Sequence, residues 1–92
     1  MERYSLSIKQ SAAKGIEEIG QKRDRQRVVA RISSLAENPH PAGCQKLSGL
    51  HERYRIRVGD YRIVYGIFHQ ERVVQIVRVG HRKDVYRGGG WL

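Results

Sequence analysis

The sequence predicts an α+β domain in which two N-terminal helices pack on one face of a small, mainly antiparallel four-stranded sheet, in the order β-α-α-β-β-β. Three observations support this prediction. Apolar and polar residues alternate near the start of the chain and again over residues 53–67, which is the period of β-strands. Between these segments, apolar residues recur at the spacing of amphipathic helices. The dipeptide Gly59-Asp60 separates two alternating runs, as the turn of a β-hairpin does.

The first strand is predicted over residues 3–9, where we expect it to be half-buried with its apolar side chains against the core. Its apolar residues are Tyr4, Leu6 and Ile8. A first helix is predicted over residues 11–20, because Ala12, Ile16 and Ile19 recur on one helical face and Gly20 can end the helix.

Asp24 is the predicted N-cap of a second helix, which Asn38-Pro39 stops. The apolar face of this helix consists of Val28, Ile32, Leu35 and Ala36. The opposite face carries Arg25, Arg27, Arg31 and Glu37. Residues 38–49 contain two prolines and two glycines, and this composition predicts a loop.

The hairpin over residues 53–67 has its register fixed by the two-residue turn, which places Val58 opposite Tyr61 and Arg57 opposite Arg62. Because successive strand side chains point to opposite faces, one face is apolar and the other is rich in arginine. The predicted core side carries Tyr54, Ile56, Val58, Tyr61, Ile63 and Tyr65. The predicted open side carries Arg53, Arg55, Arg57 and Arg62.

The last strand is predicted over residues 73–79, after a loop over residues 68–72. In this register the core side receives Val73, Val77 and Val79, together with Gln75. Arg78 then lies opposite Arg62, so that Arg57, Arg62 and Arg78 form a row across three strands.

The chain has 92 residues, with 18 Lys and Arg, 9 Asp and Glu, and a formal net charge of +9. We expect one domain over residues 1–92, with the basic residues spread over both halves of the folded body. Such a charge favours a nucleic acid or an acidic protein as the partner over a neutral small molecule. The longest apolar runs have three residues, which excludes a transmembrane span or a secretory signal, so we expect a cytoplasmic protein with no membrane partner.

Cys44 is the single cysteine, so an internal disulfide is impossible. No Cys or His spacing fits a zinc site, and the sequence gives no reason to expect a metal or another cofactor.

The arginine face has two interpretations. Exposed arginines can simply hydrate the outer face of a two-layer domain. Arginine also binds phosphate well, because its planar guanidinium donates two hydrogen bonds and stays charged. After the last strand, His81, Arg82 and Tyr86 add an imidazole, a guanidinium and an aromatic ring, which suit the cleavage of a phosphodiester. Taken alone, His81 is typical of a surface loop and Tyr86 of a packing residue.

Four segments of the chain resemble the RelE toxins of the RelE/ParE superfamily, the ribosome-dependent mRNA interferases of bacterial toxin-antitoxin systems. The segments are KLSGL at 46–50, YRIRV at 54–58, GDYRIVY at 59–65 and VGHRKDVY at 79–86. The resemblance implies a toxin that cuts mRNA in the ribosomal A site without a metal, by attack of a ribose 2′-OH on the adjacent phosphate. It also implies three partners: mRNA, the ribosome with its 16S rRNA, and an acidic cognate antitoxin of the RelB-like or another class.

By position, the resemblance implies catalytic roles for Arg57, Arg62, Arg82 and Tyr86, and the chemistry of its side chain adds His81 to this catalytic set. In this set Arg62 grips the phosphate and Tyr86 stacks a base. His81 is the predicted general base, because arginine is not deprotonated near neutral pH. Further contacts to nucleic acid are expected from Arg53, Arg55, Arg78, Lys83 and Lys46. Ser48 stands where many relatives carry another basic residue, so the resemblance does not imply that the whole contact of the family with 16S rRNA is retained.

Two other functions stay open. The ParE toxins share the fold and inhibit DNA gyrase, and a fold alone does not separate them from interferases. A non-catalytic basic RNA-binding module would explain the charge without any role for His81. The catalytic set favours the interferase.

Overall fold

The computed structural model describes residues 3–47 and 52–84. The elements in chain order are β1 (Ser5–Ile8), α1 (Gln10–Glu17), α2 (Lys22–Leu35), β2 (Gln45–Lys46), β3 (Arg53–Val58), β4 (Tyr61–Phe68) and β5 (Val73–His81). The strands form one sheet in the order β1-β5-β4-β3-β2. β1 runs parallel to β5, and the other neighbours are antiparallel. The predicted architecture is confirmed, with five strands in place of four.

The additional strand is β2, which lies inside the segment predicted to be a loop. Gln45 pairs with Arg55 and Lys46 pairs with Tyr54. Two residues cannot show an alternating pattern, so this strand depends on the neighbouring β3 and carries no periodic signal of its own.

The core lies between the two helices and one face of the sheet. Its buried helical residues are Ala12, Ile19, Val28, Ile32 and Leu35, as the helical spacing predicts. From the hairpin it takes Tyr54, Ile56, Ile63 and Tyr65, with Val58 and Tyr61 partly buried beside them. The predicted apolar faces of both helices and of the hairpin are therefore confirmed.

Both helices begin earlier than predicted. α1 spans Gln10–Glu17 and ends three residues before the predicted position, although Ile19 is still buried. α2 begins at Lys22 with Gln21 as its N-cap, so Asp24 lies in the first turn and is not the cap. Lys and Arg favour helical conformation, which extends α2 beyond the predicted start. A carboxylate in the first turn still interacts favourably with the free N–H groups there.

β1 is less buried than predicted. Leu6 is 38% exposed and Ile8 is 47% exposed. The prediction of a half-buried strand is wrong because β1 lies at the edge of the sheet, with β5 on one side only, while α1 packs on β5.

The central hairpin has the predicted register. Val58 lies opposite Tyr61, and Arg57 lies opposite Arg62. Gly59 has a φ of 59°, a conformation that glycine adopts readily and that the turn requires. This turn fixes which side chains point away from the core.

β5 departs from the predicted register because it contains a β-bulge. Tyr65 pairs with Ile76 and Val64 pairs with Arg78, so Val77 is the extra residue. The core-facing residues are therefore Val74, Ile76 and Val79, whereas Val77 packs against Val64 on the other face. The predictions that Val73, Gln75 and Val77 face the core are wrong. The bulge is favourable because it lets β5 bury apolar residues on the core side without burying the polar side chain of Gln75.

The predicted row of three arginines is wrong for the same reason. Gly80, and not Arg78, lies opposite Arg62. The hydroxyl of Ser11 in α1 donates to the carbonyl oxygen of Val77 at 2.7 Å, so the helix satisfies a carbonyl at the bulge. Neither helix in the described ranges has the length and apolar character needed to cross a membrane.

Candidate nucleic-acid interface

Five of the predicted basic residues line one cleft of about 590 Å³ on the open face of the sheet. They are Arg55, Arg57, Arg62, Arg82 and Lys83. Gly43 and Gln45, from the segment around β2, complete the lining. In the described part of the chain, no carboxylate lines this cleft, so its lining is cationic.

Adjacent strands position the cleft arginines. Arg57 and Arg62 face each other across β3 and β4. The guanidinium of Arg62 donates to the carbonyl oxygens of Gly59 at 3.1 Å and Tyr61 at 3.0 Å, which holds it against the turn. Arg55 donates to the side-chain oxygen of Gln45, which couples β3 to β2. These contacts set the directions of the guanidinium groups before any ligand binds.

The segment after β5 is tied to the same turn. The backbone N–H of Arg82 donates to the carbonyl oxygen of Asp60 at 2.7 Å. Its Nε also lies 3.8 Å from Asp60 Oδ1, in an ion pair whose side chains are both exposed. Such a pair contributes little to stability, so it leaves the Arg82 guanidinium able to exchange Asp60 for a phosphate.

Gly80 leaves the position opposite Arg62 without a side chain. Side chains of paired residues lie on the same face of a sheet, so a larger residue at this position would project toward the Arg62 side chain.

His81 lies on the other face. Its cross-strand partner is Tyr61, and the two rings meet edge to face with centroids 5.7 Å apart. Tyr61 packs against the core, so the imidazole lies on the helical side and lines a separate hollow with Glu18 and Asp84. The backbone N–H of Lys83 donates to His81 Nδ1 at 3.1 Å. A neutral ring held in this way carries its proton on Nε2.

The other predicted site residues are distributed around the molecule. Arg53 lies opposite Gly66 and lines a hollow with Glu52 and Phe68. Arg78 lies opposite Val64 and lines the same hollow as His81. Lys46 pairs with Tyr54, so its neighbour Gln45 is the β2 residue that reaches the cleft. Tyr86 and Ser48 lie outside the described residues.

A buried tyrosine fixes the loop that carries Gly43. The hydroxyl of Tyr65 donates to the carbonyl oxygen of Pro39 at 2.8 Å. Burial raises the pKa of Tyr65 well above its usual value of 10.0, and the nearby Cys44 raises it further. Burial likewise raises the pKa of Tyr54, on which the His40 ring packs. The loop between α2 and β2 is thus attached to the core at one end and contributes to the cleft at the other.

Sequence reasoning missed four residues that belong to this surface or border it. Gln45 and Gly43 line the cleft itself, and Arg27 and Arg31 line a hollow that meets it at Arg57. Arg27 and Arg31 are four residues apart in a helix, a spacing that places them on the same side. That spacing is visible in the sequence, but their position beside the hairpin turn depends on how α2 packs.

The side chains of the cleft have the chemistry that binding of a phosphodiester chain requires. Guanidinium groups donate paired hydrogen bonds to phosphate oxygens, and several of them around one phosphate stabilise the extra negative charge of a pentavalent intermediate. Within the two described ranges, no three His, Cys, Asp or Glu side chains form a group that could hold a metal ion.

A small mixed sheet with two helices on one face and a cationic cleft on the other defines a small basic α+β protein whose cleft is suited to polyanions. The protein family described as the ParE toxin of the type II toxin-antitoxin system, parDE, matches residues 6–86. The toxin RelE of Mycobacterium tuberculosis is 30% identical over 84 residues, which cover 91% of this chain and 87% of that protein.

Solved structures agree with this similarity. The archaeal RelE-RelB complex from Pyrococcus horikoshii contains a chain with a TM-score of 0.77 and 25% identity, and the match covers 89% of this chain and 98% of that one. The intact RelBE complex of Escherichia coli gives a TM-score of 0.72 and 27% identity over 85% of this chain and 95% of that one. The chain therefore belongs to the RelE/ParE superfamily of toxins of type II toxin-antitoxin systems, which confirms the resemblance identified in its sequence.

Proposed function

We propose that this toxin is a ribosome-dependent mRNA interferase that cleaves mRNA in the ribosomal A site. The observation that carries the proposal is the convergence of four arginines and one lysine on a single cleft whose described lining has no carboxylate. A single RNA strand carries one negative charge per nucleotide, and a cleft of this charge attracts it strongly.

The proposed reaction transfers the phosphoryl group within the substrate. The 2′ oxygen bonds to the adjacent phosphorus, the bond from phosphorus to the 5′ oxygen breaks, and a cyclic phosphate and a 5′-hydroxyl result. One proton leaves the 2′ oxygen and one reaches the departing 5′ oxygen. Arg57, Arg62 and Arg82 stabilise the negative charge that accumulates on the phosphate oxygens in between.

The proton acceptor is proposed to be His81, with Lys83 as the alternative. Imidazole is the side chain best suited to proton exchange near neutral pH, but the ring of His81 lies against Tyr61 on the opposite face of the sheet, so the end of β5 must rearrange to bring it to the cleft. Lys83 already lines the cleft. Tyr86 is proposed to stack a base of the mRNA.

The remaining basic residues are proposed as RNA contacts. Arg55 and Lys83 line the cleft and would hold the mRNA there. Arg53, Arg78 and Lys46 lie elsewhere on the surface, where they are suited to contacts with other parts of the RNA. Because the cleft is open and does not enclose its substrate, we propose that the ribosome with its 16S rRNA orients the mRNA. The toxin would then act in the cytoplasm, where the ribosomes are.

An acidic antitoxin is the proposed inhibitor. The similar toxins from Pyrococcus horikoshii and Escherichia coli were solved in complexes named RelE-RelB and RelBE. A partner segment rich in carboxylates would neutralise the cleft, which has none in its described lining.

Primer extension on an mRNA after induction of the toxin tests the cleavage. We expect cuts at a fixed position within codons for the parent. Arg57→Glu and Arg62→Glu should abolish both the cuts and the growth arrest while the protein stays soluble, because both side chains point away from the core and their like charges face each other. Arg23→Glu in α2 is the matched control and should cut like the parent. Intact mRNA in arrested parent cells would contradict the proposal.

Inhibition of DNA gyrase is the second candidate function, because the matching family is described as the ParE toxin. Translation and supercoiling assays with the purified toxin separate the candidates. Cleaved mRNA supports the interferase, and inhibited supercoiling with normal translation supports the gyrase inhibitor. If the protein binds RNA and neither process is inhibited, it is a non-catalytic RNA-binding module.

A further inference from the structure

A second basic hollow of about 500 Å³ adjoins the cleft on the far side of Arg57. Its cationic residues are Arg27 and Arg31 of α2 and Arg57 of β3. Ala30, Ser34, Val58 and Gly59 complete the lining, so in the described part of the chain this hollow also lacks a carboxylate.

The packing of α2 beside the hairpin turn builds this hollow. Arg27 and Arg31 lie one helical turn apart on the same side of α2. The guanidinium of Arg27 lies against Gly59, where a Cβ atom would be 3.6 Å from Nη1. Asp24 forms an ion pair with Arg27, in which Oδ1 of Asp24 lies 4.0 Å from Nη1 of Arg27. The side chain of Arg27 is 57% exposed. A pair of this length and exposure leaves most of the positive charge uncompensated.

Arg57 connects the hollow to the cleft, because it lines both. The pairing of β2 with β3 covers Tyr54 and Arg55 and does not extend to Arg57. A chain bound in the cleft therefore meets the hollow at Arg57, which borders both spaces.

We propose that Arg27, Arg31 and Arg57 form a second site for RNA phosphates, so that the backbone bound in the cleft continues across α2. The occupant follows from charge and continuity. A polynucleotide supplies one negative charge at every nucleotide, and a continuous path of arginines can pair with it along its whole length. An acidic peptide would have to supply carboxylates at matching positions. The inference that the RNA backbone runs from the cleft into the hollow rests on the proposed function. The inference that the hollow binds RNA phosphates does not depend on it.

The test compares two double variants of the same helix that remove the same charge. Arg27→Gln with Arg31→Gln changes the hollow, and Lys22→Gln with Arg23→Gln changes exposed residues at the start of α2 that do not line it. Binding of a single-stranded RNA of about 12 nucleotides is measured without ribosomes at increasing salt concentrations. The hollow variant should bind roughly 10-fold more weakly at low salt, with a salt slope smaller by about 1.4, because each lost phosphate contact removes about 0.7. The control should stay close to the parent.

Arg31 is half-buried, so the single variant Arg27→Gln keeps the test valid if the double variant fails to fold. Equal losses in the hollow variant and the control would overturn the proposal, because net charge alone would then explain both. Unchanged RNA binding with weaker binding of an acidic antitoxin peptide would also overturn it and assign the hollow to that partner.

Programmed ribosomes identify the source of the phosphates. If the hollow variant loses affinity for both the free strand and the ribosome, the phosphates are those of the message. If it loses affinity only for the ribosome, they belong to rRNA, and the continuous path of the message across α2 is overturned. A parent that binds RNA through the hollow but never cuts mRNA would contradict the proposed function and leave this inference in place.

Discussion

Arg62 and Arg82 are both held by the hairpin turn, one through the carbonyl oxygens of Gly59 and Tyr61 and the other through Asp60. The first contacts orient the Arg62 guanidinium, and the second anchors the backbone of Arg82 at the same cleft before substrate binds. Pre-oriented donors stabilise a developing charge without reorganising during the reaction. The proposed general base, His81, has its imidazole on the opposite face of the sheet, against Tyr61.

The role of His81 is testable by the pH dependence of cleavage. His81→Ala should slow single-turnover cleavage on programmed ribosomes by about 10² to 10⁴, the usual effect of a positioned general base. The parent should lose rate as the pH falls through the range where imidazoles bind a proton, and the variant should lack this dependence. Binding of the ribosome should barely change. An identical profile in both proteins would assign the base to Lys83 or to a ribosomal group.

Tyr65 predicts a loss of stability at alkaline pH. Its pKa is raised by burial above the usual value of 10.0, so above that pH the unfolded chain releases the proton first. The folded state then binds more protons than the unfolded state, and the free energy of unfolding decreases as the pH rises beyond about 10.

Tyr65→Phe should reduce this alkaline loss. At neutral pH the variant should be less stable by about 1 kcal/mol, because the buried hydrogen bond to the Pro39 carbonyl is lost. Urea unfolding of both proteins between neutral pH and about pH 11 measures the two effects. Parallel curves for parent and variant across this range would contradict the assignment of the alkaline loss to Tyr65.

At the scale of elements, α1 approaches β5 closely at Gly15. A Cβ atom on Gly15 would lie 1.9 Å from the carbonyl oxygen of Val79. Gly15→Ala should therefore destabilise the protein by about 1–3 kcal/mol or more, despite the higher helix propensity of alanine, because the helix must move away from backbone atoms. Thermal unfolding measures this change.

Gly20→Ala is the matched control, since nothing lies within 4 Å of the added Cβ atom. It should change the free energy of unfolding by no more than about 0.5 kcal/mol. Because β5 leads into Arg82 and Lys83, Gly15→Ala should also weaken RNA binding. Equal stability of the two variants would mean that α1 can shift on β5 at little cost.

The elements with local signals were predictable from the sequence, and those set by their neighbours were not. The hairpin is defined by Gly59-Asp60 and by alternation on both sides, so its register and its arginine face were correct. The bulge at Val77 was not predictable, because it depends on pairing with β4 and on the contact with Ser11. The edge position of β1 and the short pairing of β2 likewise arise only in the assembled sheet.

The same difference applies to the cleft. Arg55, Arg57 and Arg62 were predicted on its face because the hairpin turn fixes them. The face of His81 was not, because it depends on the phase of β5 after the bulge and on its pairing with Tyr61. Arg27 and Arg31 were assigned only to the outer face of a helix, since no local pattern shows that this face borders the hairpin turn.

For the whole molecule, a formal net charge of +9 on 92 residues makes association with polyanions a long-range effect. We expect the cognate antitoxin to present an acidic segment to the cleft, and we expect salt to weaken the complex mainly by slowing association. Binding kinetics with the product of the neighbouring gene, measured at increasing salt concentrations, test this expectation. Arg57→Gln should lower the salt dependence of the association rate, because Arg57 lines both the cleft and the basic hollow beside α2. Lys22→Gln, at the start of α2, should change it less. An antitoxin with a neutral or basic contact segment, or an association rate that is insensitive to salt, would show that apolar contacts drive the neutralisation of this toxin.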